Sequence, residues 1–165
     1  MSLACLRSSF LPAFLAAVVV LVASFRLENV VGLDPCALCF SQRLMLGCFA
    51  LTCLVATLHT GARRWHARLA LLFASAGALL AGRHVWLQAE PLPVSGCHLP
   101  LAHLVERPWS EILQAFLLGS PDCVSVNWSF LDLTLPEWSL LAFLLLAAVP
   151  LSWLVLYRLR QDAAG

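Results

Sequence analysis

Four apolar stretches, each about as long as a helix must be to cross a bilayer, constrain this chain more than any other feature. A spanning helix takes about 20 residues. Candidates lie between Arg7 and Arg26, between Arg43 and Arg63, from about Trp65 to Leu87, and between Glu137 and Arg158. The third is the weakest, because only Leu69 to Gly82 is free of charge. It reaches spanning length if Arg68 and Arg83 snorkel toward opposite headgroup layers. Its Ser75, Gly77 and Gly82 suit close helix packing. Composition points the same way: 61% of the 165 residues are hydrophobic and 12% are charged, too few charges to cover a soluble domain of this size. The expected fold is an all-α membrane protein, a four-transmembrane-helix bundle forming a single domain over 1–165. Its spans fall at about 9–26, 40–60, 65–87 and 138–157, with two outward loops at about 27–39 and 88–137.

Orientation follows from where the charges sit. An even number of spans puts both termini on one side. That side carries Arg7, the Arg63–Arg64–Arg68 hairpin, Arg158 and Arg160, whereas the other holds eight of the nine acids, from Glu28 to Glu137. The positive-inside rule places the termini and the short middle loop in the cytoplasm. Phe10–Ser24 also has the outline of a cleaved signal peptide, but its apolar core runs on to Phe25 and lacks a clean small-x-small site. The net charge of +1 says nothing about nucleic acid, but no basic cluster with interleaved aromatics appears, and no nucleic-acid partner is expected.

Topology then divides the seven cysteines. Cys5, Cys48 and Cys53 lie at the cytoplasmic end or within apolar spans, where a lone cysteine behaves as a small hydrophobe. Cys36, Cys39, Cys97 and Cys123 all fall on the outward side, and an even number there implies disulfides. They comprise one tight CxxC pair, a redox spacing, and one wide pair that joins two arms of the long loop.

The CxxC reads Asp34-Pro35-Cys36-Ala37-Leu38-Cys39-Phe40-Ser41-Gln42-Arg43, immediately before the second span. Asp34 is a good N-cap and Pro35 suits the first helical position. Both thiols then sit in or near the first turn, where unpaired N–H groups and the helix dipole favour a thiolate. Arg43 follows Cys39 by four residues, so the two share a helix face. Arg43 either anchors a helix end at the headgroups or holds a permanent cation beside the thiolate, and its position next to Cys39 favours the second. Further on, Trp109, Ile112, Leu113, Phe116 and Leu117 recur at helical spacing, with Pro108 before them and Gly119 after. This run is too short to span and predicts a short interfacial helix, or else a packed helix of a small outer domain.

The Pro35-Cys36-Ala37-Leu38-Cys39 motif with Gln42-Arg43, followed by one cysteine on each side of a long outer loop, resembles the disulfide bond formation protein B (DsbB) family. The resemblance extends through Asn127-Trp128-Ser129-Phe130-Leu131 and Leu135-Pro136-Glu137-Trp138 and covers the whole chain. It implies a protein-dithiol:quinone oxidoreductase of the bacterial inner membrane. Oxidising power would pass from a membrane quinone (ubiquinone or menaquinone), through redox-active disulfides Cys36–Cys39 and Cys97–Cys123, to a DsbA-like thioredoxin-fold periplasmic oxidase. In that scheme the partner's thiolate attacks Cys97, Cys123 then attacks Cys36, and Cys39 is left beside the quinone. Arg43 would assist there, and His84, near the outer end of the third span, would help bind the quinone. A strongly oxidising partner needs an acceptor more oxidising still, which a respiratory quinone provides and a glutathione pool does not.

Three rivals fit less well. A haem bundle fails because His59 and His84 lie toward opposite faces of the membrane. Structural zinc favours two close-spaced ligand pairs, whereas Cys97 and Cys123 are far apart in sequence. Vitamin K epoxide reductases also use four helices and a quinone-like substrate, but their loop cysteines precede the CxxC. His66, His98 and His103 read as hairpin and loop residues.

Overall fold

The computed structural model describes residues 10–31, 36–59, 62–89, 108–119 and 129–163. Five helices dominate: α1 (Phe10–Val31), α2 (Ala37–Leu58), α3 (Arg63–Ala89), α4 (Trp109–Leu118) and α5 (Leu135–Asp162). Four of them, α1, α2, α3 and α5, are long and apolar enough to cross a membrane. Their 22 to 28 residues correspond to about 33–42 Å of helix, somewhat more than the roughly 30 Å hydrocarbon layer. A two-residue hairpin, β1 (Ser129–Phe130) with β2 (Leu133–Thr134), precedes α5. It is absent from the sequence-based expectation, which treated this segment as loop. Leu131 (φ 54°) and Asp132 (φ 61°) both take the left-handed conformation that a tight two-residue turn demands. The usual Asn-Gly signal is missing, so the turn is hard to read from sequence.

Large apolar residues such as Leu72, Leu79, Leu144 and Leu145 are more than half exposed and suit a lipid surface. The inside combines buried rings, among them Phe10, Phe49 and Phe143, with a seam of small residues. Along α3, Ala67, Ala70, Ala74, Gly77 and Ala81 recur at alternating three- and four-residue steps, and all are buried. This seam lets α3 lie close to its two main neighbours, α2 and α5. At Gly77 a β-carbon would overlap the Phe143 ring of α5, so the absent side chain is what admits that ring. Gly82 has open space instead, and its expected packing role is not realised. α1 packs on α2 and reaches α5, where the Phe10 and Trp153 rings lie 6.0 Å apart. At the same end Arg64 sits 4.9 Å above the Tyr157 ring, so the α2–α3 turn and the end of α5 share one face of the bundle.

The opposite end holds the CxxC, and α4 docks there. A helix leaves its last carbonyls without internal partners. Ala115 O receives the Gly119 N–H, Phe116 O receives the Ser41 hydroxyl at 2.8 Å, and Leu118 O receives Arg83 Nε at 3.3 Å. Ser41 belongs to α2 and Arg83 to α3, so the end of α4 is capped by both. Phe116 adds an edge contact to Phe40, with ring centroids 5.8 Å apart. Gly119 (φ 88°) lies so close to Leu38 and Leu87 that no side chain would fit. Trp109, Leu113 and Leu117 remain exposed, the apolar face expected of a short interfacial helix.

Two outcomes follow. Gly77→Ala should lower thermal stability in detergent by about 1–3 kcal/mol because Phe143 must move, whereas Gly82→Ala should be nearly neutral; equal effects would refute the packing account. Ser41→Ala should orphan the Phe116 carbonyl at a cost of about 1–2 kcal/mol. Amide exchange should then speed up in residues 109–118 while α2 stays protected.

Candidate active site

The CxxC forms the start of α2. Its cap is Cys36 itself (φ −74°, ψ 163°), not Asp34 as expected, and the first helical residue is Ala37 rather than Pro35. The reason is local: Cys36 Sγ accepts the Cys39 N–H at 3.3 Å, and Cys36 O accepts the Phe40 N–H at 3.1 Å. Two residues between the cysteines is thus the spacing from N-cap to N3, the spacing over which a capping side chain reaches an unpaired N–H. The same geometry brings the sulfurs to 2.9 Å. A disulfide is about 2.05 Å long, so bond formation here needs little backbone movement. Asp34 and Pro35 lie outside the described residues, as do Cys5, Cys97 and Cys123.

Behind the cysteines stands a buried polar chain drawn from three helices. His84 of α3 is 3% exposed and Gln42 of α2 is 7% exposed. His84 Nε2 lies 4.0 Å from Cys36 Sγ, and His84 Nδ1 lies 3.4 Å from Gln42 Nε2. On its other side the Gln42 amide oxygen accepts the Ser139 hydroxyl of α5 at 2.9 Å. Ser139 Oγ also reaches Pro136 O at 2.8 Å, within its own helix. The sequence had drawn attention to His84 and to Gln42 only as a neighbour of Arg43, and had passed over Ser139. A serine among apolar residues is common in spanning helices, so the only signal was a polar residue one turn inside a span.

Arg43 points elsewhere. Its Nη2 donates to the Ser24 carbonyl of α1 at 3.3 Å, and its guanidinium carbon lies 4.7 Å from the centre of the Phe25 ring. Phe25, Phe40 and Leu44 around it are each about half exposed. The surface beside Cys39 is therefore apolar, with one cation and one thiol set into it. Deeper in α2, Cys53 is fully buried in the main core cluster, as a small apolar filler would be. His59 and His66 meet at the α2–α3 turn with ring centroids 6.4 Å apart. His59 is 17 residues from Gln42, roughly 25 Å along the helix, so it cannot share a ligand with His84.

Chemically, two adjacent thiols at a helix N-terminus can exchange between dithiol and disulfide. One sulfur from each cysteine and one ring nitrogen of His84 lie within 4.8 Å of one another, a donor set that also suits a thiophilic metal ion.

Comparison with known proteins agrees with this chemistry. The sequence profile for "Disulfide bond formation protein DsbB" matches residues 6–153. "Disulfide bond formation protein B 2" of Pseudomonas entomophila is 72% identical over 166 residues, covering 99% of each chain. The protein of the same name in Pseudomonas putida is 59% identical over 96% of each chain. "Disulfide bond formation protein B" of Stutzerimonas stutzeri is 41% identical over 96% of this chain and 99% of its own. With four helices able to span a membrane and a CxxC at the start of one of them, this chain belongs to the DsbB family of disulfide-forming membrane oxidoreductases.

Proposed function

We propose that this protein reoxidises a DsbA-type thioredoxin-fold oxidase on the periplasmic side of the bacterial inner membrane and delivers the electrons to a quinone. The observation that carries the reading is the Cys36–Cys39 pair, 2.9 Å between sulfurs, at the N-terminus of a membrane-spanning helix of a DsbB-family chain. The arginines gathered at the opposite end favour a cytoplasmic location for both termini. The whole chain then works as one membrane domain, with Cys97 and Cys123 in the outward loop.

The reaction proceeds by successive disulfide exchanges. A thiolate of the reduced partner attacks Cys97, forming a mixed disulfide and releasing Cys123 as a thiolate. Cys123 attacks Cys36, and the electron pair of the broken Cys36–Cys39 bond stays on Cys39. The partner's second thiolate then attacks its own sulfur in the mixed disulfide, which releases the oxidised partner and frees Cys97 as a thiolate. Cys97 attacks Cys123, restoring the Cys97–Cys123 disulfide and leaving Cys36 and Cys39 as a dithiol to be reoxidised. A quinone bound there would accept two electrons and two protons, which ubiquinone and menaquinone both do. The residues present suit such a molecule. Phe25, Phe40 and Leu44 offer a half-exposed apolar wall open to lipid, and Arg43 offers a permanent cation with several donors. His84 borders the site from behind the sulfurs.

Two experiments test the reading. Cys97→Ser should abolish oxidation of the partner while Cys36 and Cys39 still form a disulfide, and a partner lacking its resolving thiol should cross-link at Cys97; cross-linking mainly at Cys36 would reverse the order. In a quinone titration of purified protein, Arg43→Ala should raise the apparent KM for quinone by tenfold or more, on the order of a lost charged hydrogen bond. Arg43→Lys should recover part of that loss, and disulfide exchange with the partner should persist in both variants. An unchanged KM would leave Arg43 as an anchor to α1 alone.

A further inference from the structure

We propose that Ser139 and Gln42 are positioning residues that hold His84 as its Nε2–H tautomer, so that the neutral ring offers a hydrogen-bond donor to the Cys36–Cys39 sulfur pair. This rests on the reading of that pair as the redox centre.

The argument is one of donor and acceptor direction. A glutamine amide nitrogen only donates, so the imidazole nitrogen it faces must accept. Gln42 Nε2 faces His84 Nδ1 at 3.4 Å. A neutral imidazole carries one ring proton, and with Nδ1 accepting, that proton sits on Nε2. Nε2 is the nitrogen turned toward Cys36 Sγ, 4.0 Å away. What keeps the amide from turning over is Ser139, whose one proton has two acceptors in reach, Gln42 Oε1 at 2.9 Å and Pro136 O at 2.8 Å. Pro136 O already faces the N–H four residues on in its own helix, so the proton is assigned to Gln42 Oε1, which has the greater need of a donor. Gln42 and His84 are both buried, so water does not offer either of them a competing partner.

Direction therefore propagates across the bundle, from α5 through α2 to α3 and back to the start of α2. The consequence lies at sulfur. Each exchange at Cys36–Cys39 puts negative charge on one of the two, and a donor N–H within reach of both favours the charged form without itself losing a proton. Contact with a neutral thiol is long at 4.0 Å, and charge on sulfur shortens such bonds. The same tautomer works against metal binding, because a His84 ligand would need a lone pair at Nε2 where this arrangement has a proton.

The test uses the full-length reduced protein in nanodiscs, depleted of quinone. Nitrogen-15 spectra of labelled histidine, with His84→Phe identifying the signal, should show His84 protonated at Nε2 and bare at Nδ1. Ser139→Ala and Gln42→Leu should convert it to a mixture, and Ser139→Thr should restore the single form. In parallel, alkylation of Cys36 and Cys39 by iodoacetamide at pH 7 should slow about three- to tenfold in Ser139→Ala and Gln42→Leu, with recovery in Ser139→Thr. Ser152→Ala is the control: Ser152 makes a similar bond within the same helix, to Val149 O at 2.9 Å, but on an exposed face, and should change nothing. A wild-type His84 protonated at Nδ1, or binding of added zinc ion that is lost in His84→Phe, would overturn the proposal without needing any Ser139 variant to fold. So would unchanged alkylation in a stably folded Ser139→Ala. Loss of quinone turnover with the tautomer intact would count against the proposed function and not against this arrangement.

Discussion

Within a hydrocarbon layer a polar group has no water to turn to, and its partner must come from the protein. That requirement accounts for the polar architecture at the CxxC end of the bundle. Ser139, Gln42 and His84 come from three helices and meet because each needs what the next supplies. The free carbonyls at the end of α4 meet Ser41 and Arg83 for the same reason, which fixes a ten-residue helix against α2 and α3. The apolar contacts permit this geometry without specifying it. A seam of alanines and Gly77 brings the helix backbones close enough for short side chains to reach across.

The four spans were legible in the sequence because their signal is local: length, hydropathy and flanking arginines. α4 was legible too, down to Pro108 and Gly119 at its ends, because caps and helical periodicity are written in neighbouring residues. What escaped was set elsewhere. The helix start moved from Asp34 to Cys36 because a sulfur, not a carboxylate, takes the cap position. Gly77 and Gly82 look alike in sequence, and only the position of Phe143 tells them apart. The Ser139–Gln42 bond joins residues 97 apart, and nothing near either one announces the other. The tight turn at Leu131–Asp132 has no glycine and puts leucine, which rarely adopts positive φ, at its first position, so Asp132 alone was too weak a signal to announce it.

The redox pair shows how economically a short motif can be used. One backbone turn gives α2 its cap, satisfies the Cys39 N–H and brings two sulfurs together. A Cys-x-x-Cys spacing is therefore as much a helix start as a chemical group, and the fold needs no additional device to present it. Buried groups stand behind the sulfurs, and an apolar, half-exposed surface with Arg43 lies to one side. On the proposed function, the protein partner and the quinone would reach the same few atoms from different directions.

The seating of Gly119 against Leu38 and Leu87 fixes the point from which the next stretch of chain departs. Its backbone rests on Leu38, the residue between Ala37 and Cys39, and Cys123 follows only four residues later. Four residues of extended chain reach at most about 14 Å. If Cys123 is the thiol that attacks Cys36, as proposed above, a tether of that length would make the attack intramolecular, at an effective concentration of order millimolar. α4 would then serve that step as a mooring, its end held by Ser41 of α2 and Arg83 of α3.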